Sequence, residues 1–263
     1  MLRFFRHIRQ KLFLERCVSK YLGYALGEIL LIVVGILLAV QIGEWKDQHR
    51  EKSLRQEYIK RLISDFEGEL PAFENSINFL TMKRDFAELL LRVARNPKIA
   101  EERSVEFLVA LDSTSRTNSV PLNTDTIDEL QSTGNLRLLD EELKYEIFQY
   151  YRRDARLKNS WERYDMIGFE FLKLSRPILS PKQEIWIEKN VDRVWPSDLP
   201  EIRAMRFDDA SLQDAAIRLQ THQELVAWLP RVKEMHEQIL STNQNLVDRI
   251  HKILVMLEER QEN

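Results

Sequence analysis

The side chains best suited to chemistry are histidines and carboxylates, but their spacing does not form a recognisable active site. Asp248 and His251 have the i, i+3 spacing that helical carboxylate-metal sites use. This pair occurs once, and no companion carboxylates can be identified. His236 lies on the same predicted helix as His251 but roughly 22 Å away, at ~1.5 Å per residue. We therefore interpret Asp248 and His251 as a surface pair and predict no metal site.

Other catalytic motifs are also missing from the sequence. Neighbouring acids such as Glu101 and Glu102 diverge by about 100° on a helix, so they do not form an acid–base pair. Only three of the seven glycines lie outside residues 21–45, too scattered for a phosphate-binding loop, and no GxSxG, HExxH or CxxC motif occurs. The sequence predicts no catalytic residue and no cofactor. A carboxylate site assembled from distant helices remains the third interpretation, after two non-enzymatic ones.

Charge divides the 263 residues into three regions. The 39 Lys and Arg nearly balance the 42 Asp and Glu, and the net charge of −3 argues against nucleic acid as a partner. Residues 1–20 carry a net charge of +5, residues 21–45 carry −2 and residues 46–263 carry −6. The sequence thus predicts a basic tail, a nearly uncharged segment and an acidic domain.

The middle region, residues 21–45, is predicted to be a transmembrane helix. Residues 29–40 hold no polar side chain. A helix over residues 21–42 rises roughly 33 Å, enough to cross a ~30 Å hydrocarbon core. Tyr21, Tyr24 and Trp45 stand where interfacial aromatic residues are expected. A cleaved signal peptide fits poorly because no small-x-small site follows, and a buried core helix is the other alternative.

Flanking bases predict the orientation. Six Lys and Arg precede the span and five follow within fifteen residues, and the short N-terminal tail is almost free of acids. We expect the N-terminus in the cytoplasm, a single pass through the inner membrane and a periplasmic C-terminal domain. Residues 1–16 have the pattern of a basic amphipathic helix lying on the bilayer, or they act only as topogenic charges.

One face of the predicted span suggests contact with another helix. Glu28, Gly35, Ala39 and Gly43 combine a carboxyl group with small residues at four-residue spacing. Small residues let helices approach closely in lipid, and a polar side chain can bond across the contact. The alternative for Glu28 is that it lies near the interface and reaches water.

Residues 46–263 are predicted to be an all-α domain, an antiparallel bundle of long helices, because apolar residues recur at three- and four-residue spacing. The first helix is expected to continue from the span to a break at Gly68 and Pro71. A second helix is expected over 71–95, ended by Asn96-Pro97, and a short one over 101–111.

Further along, capping signals place the remaining helices. A short helix is predicted over 125–132, capped by Asn123 or Thr124 and followed by Gly134 as a left-handed terminator. Asp140 is expected to cap a long helix that, if unbroken, reaches residue 174. Residues 176–206 are predicted to be an irregular Pro-rich insert with an extended piece at 185–187. Pro230 is expected to separate the last two helices.

Two segments are candidate contact surfaces. The polar turn within residues 124–139 offers Thr126, Glu129, Gly134 and Asn135 to a partner or ligand, with a structural corner as the alternative. Trp186, Trp195 and Pro196 form the second candidate, with core packing as the alternative.

Several of these motifs resemble one known family. Phe4-Phe5-Arg6-x-Ile8-Arg9-Gln10, the run from Tyr24 to Leu30, and Gly35 to Ile42 with Trp45 resemble an uncharacterised family of bacterial single-span membrane proteins. A second match covers Thr126 to Leu138 and the later Tyr150-Tyr151. The resemblance covers about a third of the chain. It implies a membrane anchor with a helical exported domain and carries no known catalytic residue.

The sequence therefore leaves two main functional hypotheses. The first is a membrane-anchored helical interaction or scaffold protein that contacts the lipid bilayer and associates with itself or with a membrane or periplasmic protein. The second is a periplasmic ligand-sensing module. Because the cytoplasmic tail of about 20 residues holds no output domain, such a module would signal through a partner.

Overall fold

The computed structural model describes residues 17–158, 160–191 and 193–261. The predicted surface helix over residues 1–16 lies outside the described residues. Within the described ranges every regular element is a helix and no strand occurs, which confirms the all-α prediction. The chain divides after Glu57 into two units, and the second unit is Tyr58–Asn263.

The first helix, α1, spans Cys17–Arg95. Its part Ala25–Arg95 contains a window with a mean hydropathy of 2.5 and no buried residue, and it is long and apolar enough to cross a membrane. The predicted break at Gly68 and Pro71 is wrong, because Pro71 lies inside the helix. An interior proline costs about 3 kcal/mol. Phe66 and Phe73 are each 1% exposed, and their burial at ~2 kcal/mol each offsets that cost.

The helix boundaries predicted for the next part of the chain are only partly confirmed. Helix α1 ends directly before Asn96-Pro97, as predicted. The single helix expected over 101–111 is instead two: α2 spans Ile99–Glu102 and α3 spans Ser104–Ser113. They are separated by Arg103, whose φ of −127° and ψ of 49° are not helical. Ser104 is buried and accepts a hydrogen bond from the Phe207 amide at 2.9 Å, a long-range contact that local sequence does not encode.

The segment from α4 to α5 matches the predictions closely. Helix α4 spans Asp125–Ser132, and Gly134 follows with a φ of 72°. A 3₁₀ turn spans Asn135–Leu138, after which α5 spans Glu141–Lys158. The Asp140 carboxylate accepts a hydrogen bond from the Leu143 amide at 3.0 Å, which confirms the predicted cap.

The long helix predicted to reach residue 174 is divided. Helix α6 spans Trp161–Ser175 after a turn at Ser160. The predicted extended piece at 185–187 is wrong, because these residues lie in α7, Pro181–Asn190. Ser180 and Gln183 form a capping box before it, with Pro181 in the first turn. This combination is a strong helix start. The Pro-rich insert thus contains α7 and also α8, Leu199–Ala204.

The last two helices meet at a histidine. Helix α9 spans Ser211–Thr221 and α10 spans Gln223–Gln261, with Pro230 inside α10. The predicted division at Pro230 is therefore wrong. The ring Nδ1 of His222 accepts a hydrogen bond from the Leu225 amide at 3.1 Å, so this side chain caps α10 as serine or aspartate does elsewhere.

The core of the second unit lies along α10, which packs against α5 and α6. Fully buried apolar residues from α1, α3, α5, α6 and α10 form it: Leu62, Leu80, Leu90, Phe107, Leu111, Leu143, Ile147, Phe171, Val232, Ile239, Leu246 and Ile253. Lys83 and His236 are also fully buried, and they are the titratable groups around which a candidate site forms.

Candidate functional site

A cavity of about 720 Å³ lies in the second unit, between α1, the end of α3 and α7. Pockets that bind small molecules have volumes in the same range, about 300–1,000 Å³. Its wall includes these described residues: Phe79, Lys83, Asp112, Arg116, Thr117, Asn118, Arg176, Leu179, Glu184, Ile187, Glu188, Val191, Arg193, Val194 and Trp195. We call this feature the Lys83 cavity.

Lys83 is the most unusual residue of the wall. It is 0% exposed, and its Nζ has no hydrogen-bond partner. The Nζ lies over two rings, 4.9 Å from the centroid of Phe79 and 5.3 Å from that of Phe86. Burial, assisted by the guanidinium of Arg116 and opposed by Asp112, lowers the pKa of Lys83 to about 7. Near neutral pH this amine therefore changes readily between its charged and neutral forms.

His236 belongs to the same buried polar region. It comes from α10, and its Nε2 lies 2.6 Å from the carbonyl oxygen of Thr114. A carbonyl only accepts, so Nε2 carries the proton and Nδ1 does not. Nδ1 has no partner. Burial lowers the pKa of His236 to about 4, and the charge of Lys83 contributes to the shift, so the imidazole is neutral at pH 7.

The end of α3 and the segment that follows it, residues 113–118, contain the buried polar residues Ser113, Thr114 and Ser115. Ser76 of α1 donates to the Asn118 side chain at 2.9 Å and accepts from Asn243 of α10 at 2.9 Å. The hydroxyl of Ser115 has no partner. A Cβ at Gly168 of α6 would lie 3.2 Å from the Ser115 carbonyl oxygen, so the glycine lets α6 approach this segment.

Charged groups surround the cavity with a slight excess of cations. Lys83, Arg116, Arg176 and Arg193 face three carboxylates, those of Asp112, Glu184 and Glu188. Arg116 pairs with Asp112 at 2.8 Å. Two of the carboxylates are on α7, where both residues are exposed. The wall therefore favours an anion over a cation.

One of the two sequence-predicted surfaces lies at this cavity. Trp195 is 44% exposed, and its ring centroid is 5.2 Å from that of Phe79. With Pro196 it also lines a second cavity of about 590 Å³. Trp186 does not join them, because its ring packs against Phe207 at 5.3 Å. The structure thus brings Trp195 and Pro196 together and places Trp186 elsewhere.

The other predicted surface, within residues 124–139, contacts α1. We call this surface the α4 corner, together with Asn123 and the α1 residues bonded to it, namely Tyr58, Arg61, Asp65 and Glu69. Glu129 accepts from the Tyr58 hydroxyl at 3.0 Å and from Arg61 at 2.6 Å. Asn135 donates to the Tyr58 hydroxyl at 3.1 Å. Thr126 is buried, whereas Gly134 is exposed. These residues form a turn that is hydrogen-bonded to α1, and their role as a partner surface stays a prediction.

Two tyrosines and the buried acid Glu69 complete the hydrogen-bond network of the α4 corner. Glu69 accepts from the Asn123 amide at 2.7 Å and from the Tyr150 hydroxyl. Asn123 donates through its side chain to Asp65 at 2.8 Å. Its carbonyl accepts from the Tyr151 hydroxyl at 2.9 Å. Burial, assisted by the nearby carboxylates, raises the pKa of Tyr151, so this hydroxyl stays protonated and donates.

The predicted helix-contact face on α1 is open in the single chain. Glu28, Gly35, Ala39 and Gly43 are all exposed. A Cβ added at Gly35 or Gly43 would meet nothing within 4 Å. The small-residue face therefore has no intramolecular partner among the described residues, and its service in helix association stays a prediction.

Sequence reasoning missed Lys83 and the environment of His236. Lys83 stands within an apolar stripe of α1, next to Leu80 and Phe86 at three-residue spacing. A lysine at such a position was the available signal. Among the described residues, no three His, Cys, Asp or Glu side chains are grouped to hold a metal ion. The chain matches no protein-family model, no curated protein and no solved structure, so function is inferred from its own chemistry.

Proposed function

We propose that the protein is a single-span membrane protein whose helical domain binds a small ligand and signals occupancy to a partner protein. The observation that carries this proposal is the Lys83 cavity, with an unpartnered buried amine in its wall. A fully buried amine without a partner destabilises a domain, which suggests that it serves binding rather than folding.

The finer features of the proposal come from the sequence. We place the N-terminus in the cytoplasm, the anchor in the inner membrane and the helical domain in the periplasm as an antiparallel bundle. We also propose membership of the uncharacterised single-span family that the N-terminal motifs resemble. Helix α1, Cys17–Arg95, contains both the candidate span and residues of the core.

The test is a metabolite screen on the full chain in lipid nanodiscs. We expect a compound that raises the melting temperature of the wild type and has no effect on Val194→Trp, which fills the Lys83 cavity from its partly exposed wall. Ile185→Trp is the matched control, because Ile185 is exposed on α7 and is not part of that wall. A library without any such compound would count against ligand binding.

The second candidate function is a self-associating scaffold, which the open face at Gly35 and Gly43 favours. We expect Gly35→Leu to reduce the oligomer measured by crosslinking and by mass determination in mild detergent. Val33→Leu is the control, since two residues place it about 160° around the helix from Gly35. A monomeric wild type, or an oligomer that Gly35→Leu leaves intact, removes this candidate.

A further inference from the structure

We propose that the Lys83 cavity takes a small organic anion, a carboxylate or a phosphate ester on an apolar body, and that the anionic group becomes the missing partner of Lys83. This inference rests on the proposed ligand-binding function and names the ligand class for the same site.

The first step is the state of the amine. Lys83 is 0% exposed, and its Nζ has two aromatic rings within 5.3 Å but no hydrogen-bond acceptor. Rings stabilise an ammonium only partly once water is removed. A charge-assisted hydrogen bond to a carboxylate or phosphate oxygen is the interaction that satisfies it.

The second step is the choice among ligand charges. A cationic ligand would meet Lys83 and the guanidinium groups of Arg116 and Arg176. A neutral ligand would accept a hydrogen bond without the Coulomb attraction. The carboxylate of Asp112 favours the charged form of Lys83 but pairs with Arg116 and makes no hydrogen bond to Nζ. An anion is therefore the ligand that this wall favours.

The third step concerns the rest of the ligand. Apolar side chains supply the remaining wall: Phe79, Leu179, Ile187, Val191, Val194 and Trp195. Such a lining binds an apolar or aromatic body, while a few polar groups fix its orientation. Trp195 is partly exposed beside Phe79 and offers a ring for stacking.

The fourth step links binding to a proton. Without a ligand, burial holds the pKa of Lys83 at about 7. An anion beside Nζ favours the charged form and raises that pKa. At pH 8 the free site is mostly neutral and the occupied site mostly charged, so binding takes up close to one proton from the buffer.

The experiment uses the full chain in nanodiscs of neutral phosphatidylcholine, with empty nanodiscs as the blank. Calorimetry measures four probes with one aromatic body: benzoate, phenyl phosphate, benzyl alcohol and benzylammonium. We expect at least one anion to bind tenfold or more tightly than the other two probes. The tighter of the two anions identifies the head group.

Two variants and one linkage measurement complete the test. Lys83→Met is expected to weaken anion binding at least tenfold, whereas Lys182→Met, on α7 but outside the cavity wall, leaves it unchanged. Repeating the titration at pH 8 in buffers of different ionisation enthalpy reports proton uptake, which a purely structural lysine would not produce.

The outcomes separate this inference from the function it rests on. Tight binding of benzyl alcohol or benzylammonium, with no effect of Lys83→Met, overturns the anion inference but keeps a ligand-binding cavity. Anion binding without proton uptake also overturns it. If none of the four probes binds, the inference fails, and the metabolite screen with Val194→Trp decides the function separately.

Discussion

The α4 corner and the Lys83 cavity both contain buried polar side chains of the same helical unit, but these side chains have hydrogen-bond partners only at the corner. At the corner, Glu69 and Glu129 each accept hydrogen bonds from other elements. In the cavity region, the Nζ of Lys83 and the Nδ1 of His236 have no partner. Paired buried groups hold elements together, whereas unpaired ones reduce stability and remain available to a ligand. The comparison predicts that mutations in the two regions change stability in opposite directions.

The largest effect is expected at the corner. Glu69→Ala removes a buried carboxylate that accepts hydrogen bonds from the Asn123 amide and the Tyr150 hydroxyl, so the free energy of unfolding should fall by about 3 kcal/mol. Urea titration of the full chain in detergent measures it. Glu67→Ala is the control, since Glu67 is exposed on the same helix. A loss no greater than that of the control would contradict the pairing.

At the Lys83 cavity, a mutation is expected to raise the free energy of unfolding. Lys83→Met replaces an unpartnered amine by an apolar chain of similar length, and we expect a gain of about 2 kcal/mol at pH 7. The same urea titration measures this gain. Lys233→Met should give no gain, because Lys233 pairs with Glu88 at 2.8 Å. A destabilised Lys83→Met would erase the contrast between the two regions.

The gain from Lys83→Met should also depend on pH. The folded pKa of about 7 lies below the usual 10.5, so between these values the unfolded chain binds the extra proton. The stability of the wild type attributable to Lys83 therefore rises across this window, by up to about 1.4 kcal/mol per pH unit. The advantage of Lys83→Met should therefore shrink above pH 7 and reverse before pH 10, because the linkage over this window exceeds the gain of about 2 kcal/mol. A constant difference would show that Lys83 titrates normally.

A smaller effect sharpens the geometry of the corner. Gly134 has a φ of 72°, and a Cβ there would meet nothing within 4 Å. Gly134→Ala should therefore lose about 1 kcal/mol from backbone strain alone. Gly134→Asn should lose less, because asparagine tolerates the left-handed region. Thermal unfolding followed by circular dichroism distinguishes them, and equal losses would point to a side-chain clash instead.

The smallest effect is expected at the exposed edge of the corner. Hydrogen bonds from Arg61 and Tyr58 lower the pKa of Glu129, so its contribution is present above the unfolded pKa and disappears as the pH falls below it. Glu129→Gln should lower the melting temperature slightly in dilute buffer. In 1 M salt the difference should vanish, since screening removes exposed ion pairs. A difference that persists in salt would assign Glu129 a buried role.

Local chemistry explains the parts of the fold that the sequence predicts. The Asp140 cap, the left-handed Gly134 and the stop at Asn96-Pro97 each depend on residues a few positions apart. The helix breaks predicted at Pro71 and Pro230 are absent, because packing of the whole helix outweighs the local cost of an interior proline.

The candidate site was predicted less well than the fold for the same physical reason. The sequence predicts a patch of Trp186, Trp195 and Pro196, but Trp186 packs against Phe207 instead. The neighbours of Trp195 and Pro196, Phe79 and Asn118, come from distant positions. The burial of Lys83 and the contact of His236 with Thr114 depend on three elements packed together. The residue pattern of a single helix does not predict contacts among three separate elements.

The burial of the Lys83 amine has a consequence for kinetics. Its Nζ exposes no surface to water, although Lys83 belongs to the cavity wall. Before an anion can contact the amine, either the wall must open or the lysine side chain must rotate towards the cavity. Association then includes a unimolecular step, and the observed rate reaches a plateau at high ligand concentration instead of rising without limit.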